Sequence, residues 1–293
     1  MRSDGGRSVR SNGGPGAIGD EGKPDAAVEF DAVSFAFDEH VILRDLTFAV
    51  AKGTMTIVLG QSGVGKSVTL KLILGLLRPD GGAIHVNGER VDTMSEPELN
   101  RVRGHIGMVF QELALFDSLT VAENVGYRLS EEMRLPEEEV RARVEDVLGF
   151  IGLGEFSDRM PSELSGGQRR RVAIARAMAP RPSLILFDDP TTGLDPIIAS
   201  TVNDEIVKLR DLEHVTSIFV TQQIRDAFYI ATHHAVRKDG GIEITDAQEG
   251  DVARAEFMLL HDARIHFRGT ADELMASQDE YVREFLYMTL PPW

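Results

Sequence analysis

The 293-residue chain contains no cysteine. That absence excludes a disulfide framework and any thiolate metal site, and it suits a reducing compartment. Basic residues are also in short supply. Against 47 Asp and Glu stand 31 Lys and Arg, a formal net charge of −16. Sequence-independent binding to nucleic acid needs Lys and Arg to displace counterions, so nucleic acid is not expected as a partner. The same balance argues against direct adsorption to an anionic membrane surface. Long apolar runs are missing too. The most apolar stretch, Leu72 to Leu77, falls far short of the about 20 residues that cross a bilayer. The N-terminal arginines are followed by no apolar core of a secretory signal. Action at a membrane therefore calls for a partner that brings the chain there.

What is present is a 42% hydrophobic content, enough for a sizeable core, in a length that allows one large domain or two small ones. Residues 1–26 are rich in Gly, Ser, Arg and Asp and nearly devoid of apolar side chains. They are expected to form a disordered tail. From Val28 the pattern becomes one of short strands: Val28 to Phe37, Ile42 to Val50, and Ala83 to Val91 with an Asn87-Gly88 turn signal. These suggest an antiparallel layer. Four later runs, Met55 to Leu59, Ile106 to Phe110, Leu184 to Phe187 and Ser217 to Val220, are continuously apolar and end in polar residues. Such runs indicate strands buried on both faces of a parallel α/β sheet, which binds ligands at its carboxyl edge. Between the second and third, Val140, Val144, Val147, Leu148 and Ile151 recur at helical spacing, placing a helical subdomain at about 113–179. Residues 238–255 read as a polar surface insertion, and residues 271–293 as a C-terminal helical extension to a domain spanning 27–270.

Gly60-Gln61-Ser62-Gly63-Val64-Gly65-Lys66-Ser67 fits the pattern G-x-x-x-x-G-K-[ST]. Its glycines let backbone N–H groups turn inward on an anion. The helix expected from Lys66 to Leu77 adds its positive end. Lys66 is placed to reach the β- and γ-phosphates of ATP, and the Ser67 hydroxyl to bind Mg²⁺. The strand ending in Asp188-Asp189 supplies the complementary acids: Asp188 to hold the hydrated Mg²⁺, Asp189 to orient or deprotonate the attacking water. Leu164-Ser165-Gly166-Gly167-Gln168 reads as a helix start in which Ser165 and Gln168 form a capping box. Its two glycines leave N–H groups open toward a second anion, although an ordinary capped helix would read the same way.

Five elements in order, the phosphate loop, Gln111, Leu164 to Gln168, Leu184 to Asp189, and Gly193-Leu194-Asp195-Pro196, resemble those of the ATP-binding cassette (ABC) ATPases over residues 28–270. The resemblance implies a P-loop NTPase cassette of α/β class, with a RecA-like core, an antiparallel β layer and an inserted helical subdomain. It implies that two cassettes pair head to tail. Each ATP is then shared between one protomer's phosphate loop and the second protomer's Ser165-Gly166-Gly167-Gln168 segment. It further implies that Phe37 stacks on adenine, where a strand-core aromatic is the alternative. Gln111 is implied to sense Mg²⁺ and the transport partner, and Asp195 to lie at the dimer seam. Ala114 to Val121 with Glu123-Asn124-Val125, Thr191 to Ile197, and Arg268-Gly269-Thr270 through Phe285-Leu286 resemble the lipid-transport branch that works with Mce-domain proteins, the Mla-type ATPases of diderm bacteria. The implied function is the ATP-hydrolysing subunit of a lipid transporter. It would be held at the cytoplasmic face of the inner membrane by separate transmembrane permease subunits docking near Phe116 to Val125. The alternatives are a soluble non-transport ABC ATPase and a nucleotide-dependent regulatory module with little hydrolysis.

Two positions depart from the family pattern. Asp189 stands where Glu is usual, one methylene shorter. Gln222 stands where His is usual, able to donate a hydrogen bond to a γ-phosphate but not to become cationic. Both suggest slow hydrolysis. His233-His234 lacks further ligands at metal spacing and is expected to face solvent. Arg169-Arg170-Arg171 is expected to form a solvated or interface face of the signature helix.

Overall fold

A computed structural model describes residues 25–238, 241–247 and 255–289. The tail assigned to residues 1–26 lies outside the described residues apart from Asp25 and Ala26, and so does Trp293. The chain begins with β1 (Ala26–Phe37) and β2 (His40–Ala51), a long antiparallel hairpin. After β3 (Met55–Leu59) and α1 (Lys66–Ile73) it adds β4 (Gly81–Val86) and β5 (Glu89–Arg90). Asn87 and Gly88 join the last two, both at positive φ, as a tight hairpin turn requires. The resulting sheet has the order β2-β1-β4-β5. There follow α2 (Glu96–Arg103), β6 (Ile106–Val109), α3 (Val121–Glu131), α4 (Glu137–Phe150), α5 (Gly166–Met178), β7 (Leu184–Asp188), α6 (Pro196–Leu212), β8 (Thr216–Val220) and α7 (Ile224–Thr232). The chain continues through β9 (His233–Lys238), β10 (Gly241–Asp246), β11 (Ala255–His261), β12 (Arg264–Gly269), α8 (Ala271–Ala276) and α9 (Glu280–Thr289).

The second sheet has six strands in the order β12-β11-β3-β8-β7-β6. All pairings in it are parallel except β11 with β12. Its continuous apolar runs are explained by two coverings. Ile57, Leu59, Phe187, Phe219 and Phe257 pack under the helices, while Val58, Leu186, Ile218, Val220 and Met258 pack against the antiparallel layer. Alternate residues of one strand thus enter opposite cores.

The helices are closed by local chemistry. Thr120 accepts from the Glu123 amide, and the Glu123 carboxylate accepts from the Thr120 amide, a capping box that starts α3. Buried Asn124 shapes the segment before it. Its Nδ2 donates to the carbonyls of Phe116, Leu119 and Thr120, and its Oδ1 accepts from the Phe116 amide. α1 stops four residues earlier than its apolar run suggests. Gly75 takes φ +63 and donates to the Leu72 carbonyl, while Leu76 donates to that of Lys71. This pattern ends a helix with a left-handed residue.

The structure corrects the expectation for His233-His234 and adds detail at two other places. Within residues 238–255, an exposed strand β10 pairs with β9, and Ala255 opens β11, a core strand beside β3; residues 239–240 and 248–254 lie outside the described residues. His233 and His234 are half-buried rather than solvent-facing; the His233 ring stacks on Tyr229 at 3.8 Å between centroids. The C-terminal helix packs on its own domain through Val282, Phe285 and Leu286, with Tyr281 stacked on His261.

Candidate nucleotide site

The carboxyl edge of the parallel sheet is where the chemistry gathers. β3 ends against β11, so the chain has little room to turn. At Gly60, with φ +152, a Cβ would lie 2.8 Å from the Leu260 carbonyl oxygen and 2.7 Å from Val64 Cγ1. At Gly65, with φ +108, it would lie 2.8 Å from Leu43. Glycine is the residue that accepts both the angle and the approach. Gln61, Ser62 and Gly63 form the exposed tip of the loop, Val64 is half-buried, and Lys66 is buried behind them.

Lys66 Nζ donates to the carbonyls of Gly60 and Gln61, each at 2.9 Å. The loop thus wraps its own cation. Burial pulls the Lys66 ammonium below the usual lysine range, opposed by the Asp189 and Asp188 carboxylates. The next residue, Ser67, donates its hydroxyl to Asp188 Oδ1 at 2.7 Å, although the two lie 121 residues apart. Burial raises the Asp188 carboxyl above its usual value; the Ser67 hydroxyl opposes this, the Asp189 charge adds to it, and Lys71 and Lys66 oppose it. A carboxylate and a hydroxyl in contact are hard oxygen donors, and a cation between them would relieve the desolvated acid. The pair fits a hydrated divalent ion that takes its remaining ligands from water and substrate phosphates. In keeping with that sparse donor set, the described residues hold no cluster of three or more His, Asp or Glu suited to a metal.

Asp189 sits at φ +45, in the left-handed region that Asp tolerates better than most residues. Its amide donates to the Val220 carbonyl at 2.9 Å, and its Oδ1 accepts from the Gln222 amide at 3.2 Å. β7 and β8 therefore deliver Asp189 and Gln222 to one place. The contact uses the main chain of Gln222, while its side chain is exposed.

Phe37 ends β1 with 49% of its surface exposed and its ring edge-on to Phe35. That exposure removes the strand-core alternative. Gln111 lies exposed just past β6, its carbonyl accepting from Arg170 at 2.7 Å. Ser165 caps α5 by accepting from the Gln168 amide at 3.2 Å, while Gln168 Oε1 accepts from the Ser165 amide at 2.8 Å. The cap uses both side chains as acceptors, leaving the Ser165 hydroxyl proton and the Gln168 Nε2 outside it beside the amides of Gly166 and Gly167 at the helix start. Gly167 also lies against α6: a Cβ there would come within 2.3 Å of Ile198 Cγ2. Asp195 caps α6, its Oδ1 accepting from the amides of Ile197 and Ile198.

Sequence reasoning missed two buried groups. Arg170 is 5% exposed, so this member of the triplet expected to form a solvated or interface face turns into the protein, while Arg169 and Arg171 are half-buried. An arginine triplet on a helix start reads as surface, and only tertiary packing shows which of the three turns inward. Asp226 is buried as well, accepting from Thr191 Oγ1 and from Asn203 Nδ2. Its lone position in an otherwise mixed helix gave no signal.

A glycine loop around a buried lysine, a serine touching the acid of a neighbouring strand, and a second acid beside it make up a nucleoside triphosphate site of the P-loop α/β class. The chain belongs to the ABC transporter family: the family model of that description matches residues 43–192. It is 35% identical to the intermembrane phospholipid transport system ATP-binding protein MlaF of Haemophilus influenzae, the alignment covering 88% of this chain and 89% of that one. It is 40% identical to the sulfate/thiosulfate import ATP-binding protein CysA of Synechococcus elongatus, over 74% of this chain and 61% of that one. Among solved structures it is similar to the dimeric post-hydrolysis state of the ATP-binding cassette MJ0796 bound to ADP and Pi. That match has a TM-score of 0.68 and 28% identity, and covers 83% of this chain and 98% of the other. It is also similar to cbiO1 of Clostridium perfringens, with a TM-score of 0.72, 26% identity, and coverage of 91% and 96%. This chain binds and hydrolyses ATP as an ABC transporter ATPase.

Proposed function

We propose that this chain is the ATPase subunit of a phospholipid transporter, working as a head-to-tail pair beneath separate permease subunits, with an Mce-domain lipid-binding protein as a further partner. The observation that carries the lipid reading is the mutual coverage with MlaF, 88% of this chain and 89% of that one; the alignments with two sulfate importers span 61% and 74% of those longer proteins. Peripheral attachment at the cytoplasmic face of the inner membrane follows from that role. No helix among the described residues is long and apolar enough to cross a membrane. The docking surface we assign is the cleft of about 750 Å³ lined by Phe110, Phe116, Tyr127, Arg128 and Arg176. Phe116 and Phe110 are exposed there, and Arg176 lies over the Phe116 ring at 4.7 Å.

In this reading the Gly60 to Ser67 amides cradle the phosphates, and Lys66 exchanges its two loop carbonyls for phosphate oxygens, a stronger charge-assisted contact. Ser67 and Asp188 hold Mg²⁺, which would neutralise charge developing on the β- and γ-phosphates. Asp189 accepts a proton from, or orients, the attacking water. The exposed Gln222 amide donates to a γ-phosphate oxygen. Phe37 stacks on adenine. The Gly166 and Gly167 amides of a second copy close the site from above, with Asp195 at the seam between copies. The experiment is phosphate release by the chain assembled with its permease in phospholipid nanodiscs. Stimulation by phospholipid, with none by sulfate, supports the reading; stimulation by sulfate alone overturns it.

A further inference from the structure

Arg170 projects from the first turn and a half of α5 into the protein, 5% exposed. Its guanidinium reaches two separate loops. Nη1 donates to the carbonyls of Gln111 at 2.7 Å and Phe110 at 3.3 Å, and Nη2 donates to the carbonyl of Thr192 at 3.2 Å. Among the described residues it makes no ion pair. Burying a cation without a paired anion costs several kcal/mol, and an apolar side chain of similar volume would fill the space without that cost. Burial works against the charged guanidinium and the Asp189 carboxylate opposes that; the charge is spent on the three carbonyls.

The two loops it joins do different work. Phe110 and Gln111 follow β6; Phe110 lines the cleft that faces outward, and Gln111 beside it is exposed. Thr192 lies three residues past Asp189, and the Thr192 amide bonds the Asp189 carbonyl at 3.2 Å. A rigid, planar, forked donor is suited to hold two backbone segments at fixed separation; a lysine, with its point charge on a flexible stem, is not. The fork also keeps reserve. Arg170 Nε and the Thr192 hydroxyl, on the same residue pair, have no hydrogen-bond partner among the described residues, so the joint has unused groups for a second setting.

We propose that Arg170 is a positioning residue for ATP hydrolysis, fastening the Phe110–Gln111 segment to the Thr192 segment so that the loop facing the transport partner and the loop carrying Asp189 move as one. The coupling half of this inference rests on the transporter reading above; the positioning half does not.

The test uses the full-length chain with Arg170→Lys and Arg170→Gln. Phosphate release against ATP concentration separates kcat from KM, binding of a fluorescent ATP analogue gives Kd, and thermal unfolding gives Tm. The expected result is a fall in kcat of about 10- to 100-fold, the scale of an ångström-level misplacement, with KM and Kd changed by about twofold or less, the pattern of an interaction realised in the transition state. Arg170→Lys is expected to fare no better than Arg170→Gln, because charge without the fork does not bridge the loops. Unchanged kcat in both variants overturns the proposal. So does a joint fall of kcat, ATP affinity and Tm, which would mark a packing role. If neither variant folds, hydrogen exchange in the wild type decides: the amides of residues 111–113 and 191–194 open with one free energy if Arg170 joins them, and with unrelated ones if it does not. The transporter reading fails separately. Wild-type turnover that ignores added permease removes the coupling half and leaves the kcat loss in the variants standing.

Discussion

The chain carries two helix starts proposed to bind phosphate, and they are built differently. At α1 the phosphate loop wraps a lysine, sits over two carboxylates and a serine hydroxyl, and is closed by glycines that the neighbouring strands leave no room to replace. At α5 the start has its own cap, two glycine amides and a tight approach to Ile198, but no cation aimed outward. The first combines amides, a cation, a hydroxyl and acids in one place. The second offers only donors, so it adds selectivity for a ligand already held elsewhere. This difference predicts that damage to the first abolishes binding, while damage to the second spares binding and stops turnover.

The sharpest way to break the comparison is Lys66→Ala. Removing one partner of a buried charged contact costs about 2–5 kcal/mol, so ATP affinity, read by isothermal titration, is expected to fall by about 30- to 5,000-fold on the scale of tenfold per 1.4 kcal/mol. Phosphate release should drop to background with it. Next comes Gly167→Val at the second helix start. Its Cβ would overlap Ile198, and a displacement of about an ångström is expected to cost about 10²-fold in turnover. Binding of ATP to the isolated chain should be unchanged; a matching loss of binding would mean the two starts are not separate in function. Asp189→Glu should restore the reach of the longer acid and raise kcat by about tenfold, part of the same geometric penalty. A loss would show that the left-handed backbone at 189 and its bond from the Gln222 amide already place the shorter acid well. The smallest effect is expected from Asp226→Asn, which keeps the shape and disturbs the bonds from Thr191 and Asn203. Urea unfolding should show about 1–3 kcal/mol lost, the cost of a buried polar group left short of a partner, with ATP affinity intact.

Much of the site was legible because its signals are local. The glycine spacing of the loop, the capping box at Ser165 and Gln168, and the acids at the end of an apolar strand each state their purpose within eight residues. Asn124 shows the limit of such reading. Its place in Glu123-Asn124-Val125 suggested a family loop, and its four hydrogen bonds to residues 116–120 reveal that it shapes that loop. β11 was missed because its reason to be a strand is β3, about 200 residues away in sequence, and Ala255 to His261 carries no alternating pattern. Arg170 was misread for a related reason: a triplet of arginines names no inward direction.

By itself, then, the sequence determined the class of the fold, the phosphate loop and the chemistry each strand end would carry, because those depend on backbone conformation and on periodicity within a few residues. Only the tertiary structure decided that Ser67 meets Asp188, that the Gln222 amide holds Asp189, and that Arg170 ties Gln111 to Thr192. Each of those contacts joins groups 22 to 121 residues apart in the chain, and which pairs meet is set by strand order and by the burial of one helix face, neither of which any short segment encodes.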